Sequence, residues 1–379
     1  MKDHSLEVHG CHTYDATGAI SPSICLSATF RHPRFGESTG YDYGRVANPT
    51  RESLEKTVAL LERGGRSWAL SSGMAAVQLV FSLLSAGDHV LMSEDLYGGT
   101  VRLAEEVFAD YGITFEYVDV RDLALVGKRM RPETKLVFIE TPSNPMMQIS
   151  DIAALSALAH ENGALLAVDN TFLSPHFQKP LMLGADIVLH SGTKYLCGHN
   201  DVIAGFLVLK DATSAQAKRI ELLAKSAGPN LSALDSWLML RSIKTLGVRV
   251  ERQAENALAI ARWLGTLPEV TEVLYPGLAD HPGYALQQKQ ASGAGGMISF
   301  KVRSAELAKA ALGKLHLIAF AESLGGVETL LTYPIAQTHA EMPAALLKRT
   351  GLDDKLLRLS VGIEDVEDLK ADLQQALQG

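Results

Sequence analysis

The sequence predicts an α/β protein: a mostly parallel sheet domain with helices on both faces, followed by a smaller C-terminal α/β domain. Three observations carry this reading. Short apolar runs of four to six residues recur between Ser67 and His190, and helical patterns separate them. Strands joined through helices need crossover connections, which make the sheet mostly parallel. A length of 379 residues exceeds one ordinary domain of roughly 100–200 residues. Apolar residues at 47% and charged residues at 21% match a folded globular chain and not a disordered one.

Taken in order, residues 1–50 lack helical periodicity, are rich in Gly, Pro, Ser and Thr, and read as an extended arm. Thr50-Arg51-Glu52-Ser53 opens an apolar helix that ends before Gly64-Gly65. Strands are expected at Ser67–Leu70, His89–Met92, Thr114–Val118, Lys135–Ile139, Ala164–Val168 and Asp186–His190. Helices are expected between them, at Ala75–Leu84, Val101–Tyr111 and Ile152–Asn162. Beyond Val202–Leu209 the pattern turns helical, with Ser232–Lys244 and Arg249–Leu264 as long helices. Three further strands (Val270–Leu274, Met297–Val302, Leu356–Leu359) precede a closing helix at Val366–Leu377. The expected division is an arm at 1–50, a large domain at 51–245 and a smaller one at 246–379.

Charge and cysteine content narrow the function. Thirty-five basic residues against 43 acidic ones leave a net charge of −8 and no basic stripe, which argues against a nucleic-acid or acidic-membrane partner. Lys128-Arg129-Met130-Arg131 is short and stops at Pro132, as a solvated helix end does. Ser67–Gly87 is uncharged and long enough to span a bilayer, but five serines and the break at Ser71-Ser72-Gly73 make it a strand–turn–helix unit. Cys11, Cys25 and Cys197 read as free thiols of a reducing compartment. With no apolar stretch at the N-terminus, a cytoplasmic location is expected.

In parallel sheets, ligands sit beyond the carboxyl ends of the strands. His190-Ser191-Gly192-Thr193-Lys194-Tyr195 places a lysine just past an apolar strand, where desolvation lowers its pKa as an imine-forming lysine requires. Ala167-Val168-Asp169-Asn170 ends another strand 25 residues earlier, about one βα unit away. A lysine and an aspartate at neighbouring strand ends match the minimal pyridoxal phosphate constellation, the acid holding the pyridine nitrogen protonated. Ser71-Ser72-Gly73-Met74 joins a strand to a helix, where a glycine admits a phosphate to the helix N-terminus. Tyr97-Gly98-Gly99 and Thr141-Pro142-Ser143-Asn144-Pro145 follow strands too, and the prolines aim Asn144 rigidly. Each motif also has a plain structural explanation as a cap or surface turn.

Together they resemble the Cys/Met-metabolism group of fold-type I pyridoxal phosphate enzymes: cystathionine γ-synthase, cystathionine γ- and β-lyases, O-acetylhomoserine sulfhydrylase and methionine γ-lyase. The likeness spans essentially the whole chain. It is most specific at Tyr43–Thr50, Ser71–Ala76, Asp169–Phe172, Ser191–Tyr195, Ala321–Gly326 and Arg358–Asp365. It implies that Lys194 anchors the cofactor and later moves protons, that Asp169 meets the pyridine nitrogen, and that Tyr97 stacks on the ring. It implies that Gly73, Met74, Ser191 and Thr193 hold the phosphate, with Tyr43 and Arg45 reaching the phosphate of a neighbouring subunit in a homotetramer, a dimer of dimers. Asn144 and Arg358 would bind the substrate carboxylate, with Ser323 beside it. Glu322 stands where members handling cystathionine carry Glu, and would pair with a distant ammonium in a partly dehydrated pocket. Gly99 stands where methionine γ-lyases typically carry Cys. The implied reaction is γ-replacement on an O-acylhomoserine with cysteine, with γ-elimination or use of sulfide as alternatives and an inactive cofactor-binding regulator as the non-enzyme alternative.

Other signals are weaker. His9, Cys11 and His12 are ligand types without a fourth partner at suitable spacing, so no metal is expected. Gly36-Glu37-Ser38-Thr39-Gly40 has the letters of a nucleophile elbow but no strand before it or helix after it. Gly293-Ala294-Gly295-Gly296 lacks the spacing of a dinucleotide loop.

Overall fold

A computed structural model of the chain describes residues 1–11 and 17–378; His12 lies outside them. The larger sheet has seven strands: β1 (Arg66–Leu70), β2 (His89–Ser93), β3 (Thr114–Val118), β4 (Thr134–Glu140), β5 (Leu165–Asp169), β6 (Ile187–Ser191) and β7 (Gly205–Leu209). Their order is β1-β7-β6-β5-β4-β2-β3. The strands β3, β2, β4, β5 and β6 pair in parallel, and β7 runs antiparallel to both β1 and β6. The central strands are buried on both faces, as a helix-covered parallel sheet requires. Val137, Val168 and Val188 join one apolar cluster, whereas Phe138, Ala167 and Ile187 join the other. That alternation follows from the period of two along a strand.

The second sheet comprises β8 (Val270–Leu274), β9 (Met297–Val302), β10 (Ala319–Phe320), β11 (Leu330–Thr332) and β12 (Leu356–Ser360), in the order β10-β11-β12-β9-β8. Strands β10 and β11 were not foreseen, because elements of two and three residues are too short to show alternation. The helix Leu246–Leu264 and the closing helix Val366–Gln378 pack on this sheet through Ile260, Leu264, Leu369 and Leu373.

The N-terminal arm is not wholly extended. Asp3–His9 forms a helix, α1, that buries Leu6 and Glu7. Seven residues with one inward apolar side chain leave no periodicity to read. Helix α2 (Pro49–Leu61) begins where expected: the Asn48 side chain accepts from the amides of Thr50 and Arg51, and Pro49 occupies the first turn. Helix α3 (Gly73–Phe81) is capped by Ser72 Oγ, which accepts from the Ala75 amide at 3.1 Å. The helix expected at Val101–Tyr111 divides instead into α4 (Gly98–Leu103), a π turn and a 3₁₀ turn, ending on Gly112 at φ +80°. Among the described residues no helix is long and apolar enough to cross a membrane. The three cysteines are unpaired.

Beneath the ends of β5 and β6 lies a buried polar trio. Glu62 Oε1 stands 2.6 Å from His190 Nε2 and accepts from Asn170 Nδ2 at 2.8 Å. Asn170 follows Asp169 and His190 precedes Ser191, so the trio fixes the two strand ends that the candidate site uses. A buried polar group left without its partner is costly, which ties these ends to a single arrangement.

Candidate active site

A cavity of about 280 Å³ opens at the carboxyl ends of β4, β5 and β6. Ser72, Gly73, Met74, Tyr97, Asn144, Asp169, Ser191, Thr193, Lys194, Glu322, Ser323 and Arg358 all line it. Eleven of the thirteen site residues expected from the sequence thus converge, with Tyr43 and Arg45 outside.

Register explains the floor. Strand β5 ends on Asp169, and Glu140, ending β4, pairs with it across the ladder. Thr171 donates to Asp169 Oδ1 from its amide at 2.9 Å and from its hydroxyl at 2.5 Å. Burial raises the Asp169 pKa against these donors and the nearby His190. Glu140 is raised well above the usual carboxylate range, first by burial and then by the Asp169 charge. Its Oε2 accepts from the Tyr97 amide at 3.1 Å, fixing the backbone that carries the Tyr97 ring. Gly99 leaves room for that ring, since a Cβ there would lie 2.5 Å from Tyr97 Cε1.

One end of the cavity is built for an anion. Helix α3 begins against Ser191, where a Cβ on Gly73 would come within 2.8 Å of the Ser191 Cβ. Only glycine permits that approach, which sets the start of the helix beside Ser191, with Thr193 lining the same cavity. Thr193 Oγ1 also accepts from the Ala204 amide at 3.0 Å, holding the loop after β6.

Lys194 Nζ donates to Ser323 Oγ at 2.9 Å. Burial, and then the Arg358 guanidinium, lower its pKa to about 8, with Glu322 opposing. Ser323 sits at φ +91°, a backbone region rarely taken by a residue with a side chain. That conformation turns its hydroxyl to Lys194 while its carbonyl accepts from Arg358 Nη2 at 3.1 Å.

Arg358, in the middle of β12, is 2% exposed. Its Nη1 donates to Asn144 Oδ1 at 2.8 Å and its Nη2 also reaches Thr332 Oγ1 at 3.3 Å. All of its hydrogen-bond acceptors are neutral, and its Nε has no partner among the described residues. Burial lowers its pKa to about 10, with Glu140 opposing first. A desolvated guanidinium with a spare donor is a receptor for a carboxylate. Asn144 is held in turn by its neighbours: Asp95 Oδ2 accepts from the amide of Met146 at 3.1 Å and from Ser143 Oγ.

One expectation changes. Glu322 lines the cavity but is exposed at its mouth, not partly dehydrated. Tyr43 and Arg45 line a separate cleft with Ser27 and Asn230; Arg45 lies 5.5 Å over the Tyr43 ring and donates to the Lys225 carbonyl. Glu140, Thr332 and His339 were missed. Glu140 carried the same signal as Asp169, an acid ending an apolar strand. His339 Nε2 lies 3.0 Å from the Asn144 carbonyl, and burial followed by Arg358 lowers its pKa to about 4; only the fold brings it there.

The residues fit pyridoxal phosphate. Asp169 suits the pyridine nitrogen, Lys194 the aldehyde, Tyr97 the ring face, and the start of α3 with Ser191 and Thr193 the phosphate. Capture of the aldehyde needs a neutral amine. Cofactor-free protein mixed with pyridoxal phosphate should therefore bind it covalently at a rate that rises with pH with a midpoint near 8 and levels off above it. A midpoint near the ordinary lysine value of 10.5 would contradict a desolvated Lys194.

Comparison with known proteins bears on the same point. The sequence profile described as Cys/Met metabolism PLP-dependent enzyme matches residues 4–378. The chain is 47% identical over 379 residues to a cystathionine gamma-lyase of Bacillus subtilis (strain 168), covering 100% of each. It is 46% identical over 363 residues to a protein of that strain named cystathionine gamma-synthase/O-acetylhomoserine (thiol)-lyase, covering 96% of this chain and 92% of the relative. A crystal structure of cystathionine gamma synthase from Xanthomonas oryzae pv. oryzae in complex with cystathionine matches with a TM-score of 0.96 and 41% identity, covering 100% of this chain and 98% of that one. The chain therefore belongs to the Cys/Met-metabolism family of enzymes dependent on pyridoxal phosphate.

Proposed function

We propose that the chain catalyses γ-replacement on an O-acylhomoserine. The Cγ–O bond breaks, the carboxylic acid leaves, and the sulfur of cysteine forms a Cγ–S bond to give cystathionine. One observation carries this reading: the charged groups of one cavity are graded in depth. Arg358 is fully buried, Lys194 is part-buried, and Glu322 is exposed at the mouth. That order suits an amino acid whose α-carboxylate enters first and whose far end, carrying a second ammonium, stays at the rim.

Arg358, aimed by Asn144, holds the α-carboxylate through its spare donor. Ser323 Oγ orients Lys194 Nζ, which takes the α-proton and returns a proton to the product. A pKa near 8 keeps an appreciable share of this amine neutral at physiological pH. Tyr97 Oη, on a half-exposed ring, accepts a hydrogen bond from the incoming amine. Pyridoxal phosphate, when bound, supplies an electron sink for negative charge at the substrate α- and β-carbons. Asp169 faces its pyridine nitrogen, and Thr171 and His190 favour its charged form against burial.

A second reading, γ-elimination from cystathionine, uses the same residues. It draws support from the full-length similarity to the γ-lyase of B. subtilis. Product analysis of purified holoenzyme separates the two. Cystathionine should form from O-acetyl- or O-succinylhomoserine plus cysteine; fast release of a 2-oxo acid from cystathionine alone would favour elimination. In either case Glu322→Val should weaken use of the diamino partner. An exposed pair contributes about 0.2–1 kcal/mol, so kcat/KM should fall roughly 1.5- to 5-fold for cysteine or cystathionine and stay level for sulfide. Equal losses would mean that Glu322 only supports its loop.

The arm fits the same proposal. Its apolar side chains Ile20, Leu26 and Phe35 are exposed, at 73%, 75% and 106%. Such a surface calls for a partner, and a second copy would place Tyr43 and Arg45 at its phosphate end. Residues 1–50 then act as the N-terminal arm, its stretch from Ile20 to Arg45 facing the second copy, 51–245 as the cofactor-binding domain and 246–379 as the C-terminal domain, assembled in a homotetramer. Arg45→Ala and Lys194→Ala subunits, each inactive alone, should recover partial activity when mixed and allowed to exchange. No recovery despite proven exchange would make each site self-contained.

A further inference from the structure

Away from the cavity, two imidazoles and two carboxylates from three elements meet at one point. Helix α1 supplies His4 and Glu7, three residues apart and so on one face. His176 comes from the short helix Ser174–Phe177, and Glu251 from the first turns of Leu246–Leu264. His176 Nδ1 lies 2.7 Å from Glu7 Oε1, and His4 Nδ1 lies 3.6 Å from Glu7 Oε2. The donor atoms of His4, Glu7 and His176 all fall within 4.8 Å of one another. A tetrahedral zinc ion with bonds of about 2.0–2.2 Å sets its donors roughly 3.4 Å apart, a spacing that the measured pairs bracket.

The surroundings carry the argument further. Both imidazoles turn their Nε2 atoms to the same oxygen, Glu251 Oε1, each at 3.3 Å. An outer carboxylate that accepts the second N–H of a coordinating histidine is the usual support of such a site. Glu7 is 4% exposed and fixed by the Gly247 amide, which donates to its Oε2 at 3.1 Å. Gly247 also leaves the space open: a Cβ there would lie 2.6 Å from Glu7 Oε2 and 2.7 Å from His4 Nδ1. Nearby cations are already paired, Lys179 Nζ with Asp3 at 2.9 Å and Arg63 with the same carboxylate. The His4 side chain is 61% exposed, which gives an ion a way in.

We propose that His4 Nδ1, His176 Nδ1 and the Glu7 carboxylate bind a divalent transition-metal ion of the zinc type, with Glu251 as the outer carboxylate. Imidazole with carboxylate suits zinc, nickel or copper over magnesium or calcium. Three protein donors leave a fourth position to water. The ion would clamp the N-terminal helix to the helix that leads into the second sheet. His9 and Cys11, the ligand types noted in the sequence, stand outside this cluster.

The test uses tag-free holoenzyme stripped with a chelator and dialysed against zinc chloride. One zinc per chain should bind at micromolar free zinc, and zinc should raise the thermal midpoint. His4→Gln removes an exposed ligand, and Gly247→Ala puts a methyl group against two donors while keeping a helix-forming residue. Each should weaken binding at least ten-fold and abolish the thermal shift, with cofactor absorbance reporting an intact fold. Glu251→Gln should weaken it roughly ten-fold, as loss of an outer-shell partner does. No stoichiometric zinc in the native enzyme, or binding unchanged in both His4→Gln and Gly247→Ala, would overturn the proposal.

Discussion

The site is organised around a guanidinium buried without an acid in contact. Placing a lone cation in a protein interior costs several kcal/mol unless an anion completes it. Arg358 meets only neutral acceptors, on Asn144, Ser323 and Thr332, and its Nε has no partner among the described residues. Its field reaches much of the cavity. It lowers the pKa of Lys194 and of His339, and it opposes the burial that raises Glu140. On the proposed reading an amino-acid carboxylate is the anion that completes this arrangement, and its arrival would relax the field on Lys194.

The fold supplies the meeting point. Lys194 follows β6 of the larger sheet, whereas Arg358 belongs to β12 of the second. Three hydrogen bonds join these parts at the site, Lys194 to Ser323, Arg358 to Asn144 and His339 to the Asn144 carbonyl. Others brace the junction: Ser299 Oγ donates to the Pro145 carbonyl at 2.6 Å, and Gln253 Nε2 donates to the Gly326 carbonyl at 2.7 Å. A shift between the sheets would misalign the groups proposed to hold the α-carboxylate and the α-proton, and small misplacements of that kind cost rate steeply.

Most of the floor was legible in the sequence because strand ends are local features. An apolar run followed by Asp169, by Ser191–Lys194 or by the Thr141–Pro145 turn marks a ligand edge without knowledge of the fold. Glu140 obeys the same rule, but it fell between the strand drawn to Ile139 and the turn drawn from Thr141. Thr332 and His339 were hidden for a physical reason: they matter only through side chains and carbonyls distant in the chain. Exposure was equally invisible, so Glu322 was expected in a dehydrated pocket and stands at the rim. Helix α1 buries too few apolar residues to mark itself, yet it carries His4 and Glu7.

The most direct test of this account compares an unreactive amino-acid ligand with its α-carboxamide, in the native enzyme and in Arg358→Met. Hydrogen bonds to a charged group contribute about 1.5–3 kcal/mol, so the native enzyme should bind the carboxylate roughly ten- to a hundred-fold more tightly. Arg358→Met should bind both alike, with its cofactor still attached. Equal affinity for carboxylate and carboxamide in the native enzyme would contradict a site built around an unpaired guanidinium.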